Sequence, residues 1–136
     1  ENIMKQRLIA TALISVAWSA LDFLFHGVLL MGEYTATASL WRPVAEMKNG
    51  MMTLVTVLTA LVFVLIYCQL IKEKTMKNGI KLGGFIGLLV GIGMSLGTYS
   101  YMPITIKIAV VWFIAVMVKY IVSGAITGYL VKKEIS

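Results

Sequence analysis

LIATALISVAWSALDFLFHGVLLM, residues 8–31, is a long apolar run interrupted by one carboxylate, Asp22, and one imidazole, His26. Its length decides the fold. A hydrocarbon core about 30 Å thick is crossed by about 20 apolar residues in a helix. Lys5 and Arg7 followed by apolar residues have the outline of a secretory signal. The run continues through Phe23 to Met31, however, which is too long for a signal core. It reads as an uncleaved transmembrane helix.

The rest of the chain agrees. Of its 136 residues 60% are hydrophobic and 13% charged, against about 25% charged in a soluble domain. Mean hydropathy is +0.91. Three further runs are long enough to span: 51–71, 82–102 and 105–131. Lipid offers no partner for an open backbone, so each span is predicted to be helical. The expectation is an all-α integral membrane protein, a single domain over 1–136 formed by a bundle of four transmembrane helices.

The cations set its orientation. Lys5, Arg7, Lys72, Lys74, Lys77, Lys81, Lys132 and Lys133 fall on one side of the spans, and Arg42, Lys48 and Lys107 on the other. Basic residues favour the cytoplasm, so both termini and the middle loop are expected there. The bias argues against dual topology. The net charge of +6 is spread between spans, not gathered on a nucleic-acid-reading face.

Buried charge in lipid is costly and usually functional. Counted from the cytoplasmic flank at 1.5 Å per residue, Asp22 and Lys119 both lie about 20 Å up. Thr59 and Ser95 fall near the same level. An intramembrane polar layer of Asp22, His26, Lys119, Thr59 and Ser95 is therefore expected, with Asp22 and Lys119 as an ion pair. His26 is one turn beyond Asp22 on the same face. Either it continues a proton or cation path outward, or it is hydrogen-bonded to a neighbouring hydroxyl or to Asp22.

In the outer loop, Glu33, Arg42 and Glu46 suggest a salt-bridged cap. Tyr34 and Trp41 suit headgroup anchors. Pro43 suits the first position of a helix, which would start the second helix at about Arg42 or Pro43. TYSYMPIT, residues 98–105, reads as a tight hairpin.

Glycines recur at four-residue spacing: Gly83, Gly87 and Gly91, then Gly93 and Gly97, and in the last span Gly124 and Gly128. Such spacing lets helix backbones approach closely, either within the chain or between copies.

Several chemistries lack their residues. Cys68 is the single cysteine, so an internal disulfide, a CxxC pair and a four-thiolate site are excluded. Cys68 reads as a small buried hydrophobe. One histidine and one aspartate supply at most half of a zinc shell, so no metal is expected. A b-type haem would need a second histidine. No cofactor motif and no P-loop, GxSxG or HExxH motif occurs, and an enzyme is not expected.

GIKLGGFIGLLVGIGMSLGTYSYMPITIKIAVVWFIAVMVKYIVSGAITGYLVKK, residues 79–133, resembles a pattern of small four-span bacterial membrane proteins. In these a glycine-rich third helix ends in a tyrosine and proline turn, and the fourth ends in small residues. The resemblance implies a bacterial cytoplasmic (inner) membrane and brings no activity with it.

Small size, small-residue helix faces and missing catalytic motifs predict a non-enzymatic accessory or structural subunit of a larger membrane assembly. Its partners would be the bilayer and either another membrane protein or copies of itself. The alternative is a small homo-oligomeric transporter or channel, with a proton- or ion-coupled path through Asp22, His26 and Lys119.

Overall fold

The computed structural model describes residues 2–132, all in helices and connecting turns without a strand. Lys133, counted above among the cytoplasmic cations, lies outside the described residues. Four helices are long and apolar enough to cross a membrane: α1 (Ile3–Leu29), α3 (Asn49–Leu70), α4 (Met76–Tyr101) and α5 (Ile106–Leu130). A short helix, α2 (Met31–Ala36), follows α1.

Local chemistry sets several of these starts. Asn2 accepts from the Met4 N–H at 2.9 Å and caps α1. Thr75 accepts from the Asn78 N–H at 3.1 Å and Thr105 from the Ile108 N–H at 3.2 Å. Each satisfies a donor that the first helical turn leaves free. The Thr75 cap explains why α4 begins six residues before the expected apolar boundary at 82. Pro43 does not open α3. It precedes a single 3₁₀ turn, Val44–Glu46, and the extended backbone of Met47 (ψ 136°) delays α3 to Asn49.

The helices alternate in direction. The two ends of the chain meet where the Lys132 N–H donates to Gln6 Oε1 at 3.0 Å. α5 is central: α4 lies tightly along it, α1 packs on another side, and α3 packs chiefly on α1. The half of the bundle nearest the chain ends is filled by Ala10, Ile14 and Trp18 of α1, Ala60, Phe63, Val64 and Tyr67 of α3, and Val116 and Tyr120 of α5.

The α4–α5 seam runs through glycines. A methyl on Gly83 would overlap the Tyr120 carbonyl oxygen, and one on Gly124 the Gly79 carbonyl oxygen. Gly87 and Gly91 meet Met117 and Phe113 at 3.2 and 3.1 Å from an added Cβ. Gly128 faces the backbone of Thr75 and Met76. The close partner is thus within the chain. Gly79, one turn before the glycine run, belongs to the same seam.

Gly93 does not. Nothing lies within 4 Å of a Cβ placed on it. Two residues after Gly91, it stands about 200° round the helix from the seam, whereas the four-residue step from Gly91 reaches Ser95, which is fully buried; a π turn covers Ile92–Gly97. α1 carries a second π segment, Phe23–Leu29, starting directly after Asp22. Both lie in the half of the bundle away from the chain ends.

Candidate functional site

Asp22 closes the α-helical part of α1, and Lys119 lies midway along α5. Lys119 Nζ donates to Asp22 Oδ1 at 2.7 Å. Lys119 is the better covered, its side chain 17% exposed against 34% for Asp22. Its ammonium also stands 4.6 Å from the Trp18 ring centroid, a favourable place for a cation. Trp18 is held in turn: its indole N–H donates to Ser123 Oγ at 2.7 Å and to the Lys119 carbonyl at 3.0 Å. Its ring meets Tyr120 edge-on at 5.1 Å. The pair therefore rests on a rigid aromatic floor.

His26, in the π segment, points Nε2 at Asp22 Oδ1 from 3.9 Å, beyond direct hydrogen bonding. Its Nδ1 is 2.6 Å from Tyr34 Oη. Trp112 donates its indole N–H to that same Oη at 2.7 Å. Indole is a donor only, so the Tyr34 oxygen accepts from Trp112 and its own proton is free to go to His26 Nδ1. A neutral His26 then carries its proton on Nε2, facing Asp22. Burial raises the Tyr34 phenol above its ordinary value of 10.0; the Trp112 bond opposes this and the charge of Asp22 adds to it. Tyr34 thus stays a protonated donor near neutral pH.

The result is a series, Lys119–Asp22–His26–Tyr34–Trp112, hydrogen-bonded except at the 3.9 Å step between Asp22 and His26. Tyr34 and Trp41, the expected headgroup anchors, are partly buried. They fold inward, Tyr34 edge-on to Trp41 at 5.4 Å and Trp41 edge-on to Trp112 at 5.9 Å. Nothing in the spacing of residues 34, 41 and 112 signals this, because the loop turns that bring them together lie between spans.

A cleft of about 550 Å³ opens beside the pair, lined by Trp18, Asp22, His26, Met52, Thr56 and Lys119, with Lys48 near its mouth. A smaller notch of about 260 Å³ shares Asp22, Met52 and Thr56 and adds Ser15, Ser19, Asn49 and Thr53. Ser15 and Ser19 donate to carbonyls one turn back, at 2.8 and 2.9 Å, so their oxygens face the notch as acceptors. Beneath the larger cleft lies the packed layer of Trp18, Ala60, Phe63 and Tyr120, while the notch runs on along α1 and α3 as far as Ser15 and Val57. Asp22 is thus open to the space between α1 and α3.

Not every expected member of the polar layer joins it. Ser95 is buried and donates to the Gly91 carbonyl at 2.6 Å, closing the π turn of α4. Its neighbours are Ala109 and Phe113 on the far side of α5, away from Asp22. Thr59 is half-buried on α3 and has no hydrogen bond to Asp22 or Lys119. The polar residues that reach Asp22 from α3 are Asn49, Thr53 and Thr56, one to three turns nearer the helix start.

The expected cap is also rearranged. Glu33 Oε1 lies 3.6 Å from Lys107 Nζ, and Glu33 Oε2 accepts from the Thr105 hydroxyl at 3.0 Å. Arg42 and Glu46 are exposed and enter no ion pair among the described residues. Glu33 sits on α2, which folds back over the start of α5, while the 3₁₀ turn carries Glu46 elsewhere. No cluster of three or more His, Cys, Asp or Glu side chains suited to a metal occurs among the described residues.

No protein-family model, no curated protein and no solved structure matches the chain. The functional reading therefore rests on the residues and geometry above.

Proposed function

We propose that the chain is a small transporter or channel that works as a homo-oligomer in a bacterial cytoplasmic membrane, with a proton- or ion-coupled path through Asp22, His26 and Lys119. The observation that carries this reading is the cleft that reaches the Asp22–Lys119 pair. A purely structural ion pair needs no access. This one lines a cleft that carries the Thr56 hydroxyl and the His26 imidazole on otherwise largely apolar walls, Phe23, Met51, Val55 and Met94.

With the termini cytoplasmic, as the lysine and arginine bias favours, the cleft lies in the outer half of the membrane. A proton entering it would pass between His26 and Asp22. Protonation of Asp22 would cancel its charge, release Lys119 and weaken the link between α1 and α5. The apolar layer beneath makes such a rearrangement necessary for release inward, as alternating access requires.

The second reading is the accessory subunit, in which the pair only fixes helix register. It is favoured by the placement of Lys119 between the Asp22 carboxylate and the Trp18 ring.

Reconstitution into liposomes with an internal pH dye separates the two. The transport reading expects proton flux above that of empty vesicles, reduced at least tenfold by Asp22→Asn and by His26→Ala, with both variants still folded. No flux from wild-type protein, together with stoichiometric co-purification of a larger membrane protein from the native host, would establish the accessory reading instead.

A further inference from the structure

α3 and α4 share a short loop, residues 71–75, yet pack on different partners: α3 on α1, α4 on α5. They diverge from the loop and leave a groove of about 410 Å³ between them. Its walls are apolar, with Leu70, Leu82 and Phe85. Leu70 and Phe85 are 70% and 64% exposed. At the loop end the groove is rimmed by Lys72, Lys81 and Asn78, with Glu73 beside them.

The loop lysines divide by role. Lys74 turns inward and donates to the carbonyls of Cys68 at 2.9 Å, Tyr67 at 3.3 Å and Ile71. It caps the C-terminus of α3, where a cation is favoured. Lys72 and Lys81 enter no ion pair among the described residues, and neither does the Glu73 carboxylate. Two cations against one anion leave the rim positive. Asn78 donates one amide hydrogen to the Glu73 carbonyl at 3.0 Å and keeps a second.

We propose that this groove seats one anionic phospholipid. Its phosphate lies between Lys72 and Lys81 near the Asn78 amide, and one acyl chain lies along Leu70, Leu82 and Phe85. Charge complementarity selects this occupant. Basic pockets between helices at a headgroup level suit anionic lipid, whereas a neutral lipid would leave both lysines unpaired beside the apolar wall. The site is separate from the cleft at Asp22 and does not depend on transport.

The test uses the full chain in neutral detergent, with lipid binding followed by native mass spectrometry. Wild type is expected to retain one phosphatidylglycerol in preference to phosphatidylcholine. Lys72→Gln/Lys81→Gln should lose roughly thirty-fold in that preference, two lysine contacts to an anionic headgroup. Lys77→Gln, on the same turn but outside the groove, should keep it. Equal binding of the two lipids by wild type overturns the proposal, whatever the variants do. So does an equal loss in Lys77→Gln, which would mark diffuse charge attraction. Displacement of the lipid by millimolar inorganic phosphate would refute the acyl-chain seat.

Discussion

At the scale of residues, the question is what Lys119 does for Asp22. Two terms are mixed in its place: the 2.7 Å ion pair and the contact with the Trp18 ring. A double substitution separates them. Lys119→Met keeps apolar bulk over Trp18 but leaves Asp22 with only His26, at 3.9 Å. Stranding one member of a buried pair costs 3–5 kcal/mol. Asp22 is about one-third exposed, so the expected loss is smaller, about 2–3 kcal/mol. Adding Asp22→Asn removes the stranded charge, and the double variant should recover more than half of that loss. Equilibrium unfolding in mixed micelles reads both numbers. A double variant no more stable than Lys119→Met would mean that Lys119 acts through Trp18 alone.

The depth of this pair was legible in the sequence because helical rise is constant. Fifteen residues from Arg7 and thirteen from Lys132 bring two charges to one level whatever the tertiary packing. The partners of His26 were not legible. Tyr34 is 8 residues from His26, and Trp112, which holds Tyr34, is 78 residues from it; they meet through a loop whose path no periodicity records.

At the scale of elements, the glycine pattern of α4 shows where a repeat can be trusted. Four-residue spacing holds through Gly91 to buried Ser95, while Gly93 stands two residues off that register, on the other side of the helix. Gly83 and Gly84 are neighbours with opposite expectations. At Gly83 a methyl would overlap the backbone of Tyr120, whereas at Gly84 nothing lies within 4 Å. Overpacking against backbone cannot relax by a rotamer change, so Gly83→Ala should cost about 1–3 kcal/mol or more. Gly84→Ala should be neutral or stabilising by up to about 1 kcal/mol, since alanine is the better helix former. Thermal stability of the two variants in one detergent decides it. Equal losses would mean that α4 turns a different face to α5. The π turns themselves leave no mark in composition, because each residue in them is compatible with an α-helix.

At the scale of the molecule, the interior is tightly packed near the chain ends and loosens around Asp22. Near the chain ends, glycine contacts and large side chains such as Phe63, Tyr67 and Tyr120 fill the bundle. Beyond Trp18 both π segments begin, and the space around Asp22 opens between α1 and α3. This asymmetry predicts one-sided access of water, which cysteine labelling reads directly. The native thiol is removed by Cys68→Ala, and Thr53→Cys or Val64→Cys is added. Thr53 lines the notch; Val64 is fully buried in the packed half. A membrane-impermeant thiol reagent on the side of the α1–α3 loop should modify Thr53→Cys at least a hundredfold faster than Val64→Cys, since reaction needs a hydrated thiolate. The same reagent on the side of the chain ends should modify neither. Failure to modify Thr53→Cys from either side would mean that acyl chains fill the cleft, and the polar path to Asp22 would then lack the water it requires. Modification from both sides would mean that the apolar layer opens on the labelling timescale, as a channel would demand and a static register pair would not.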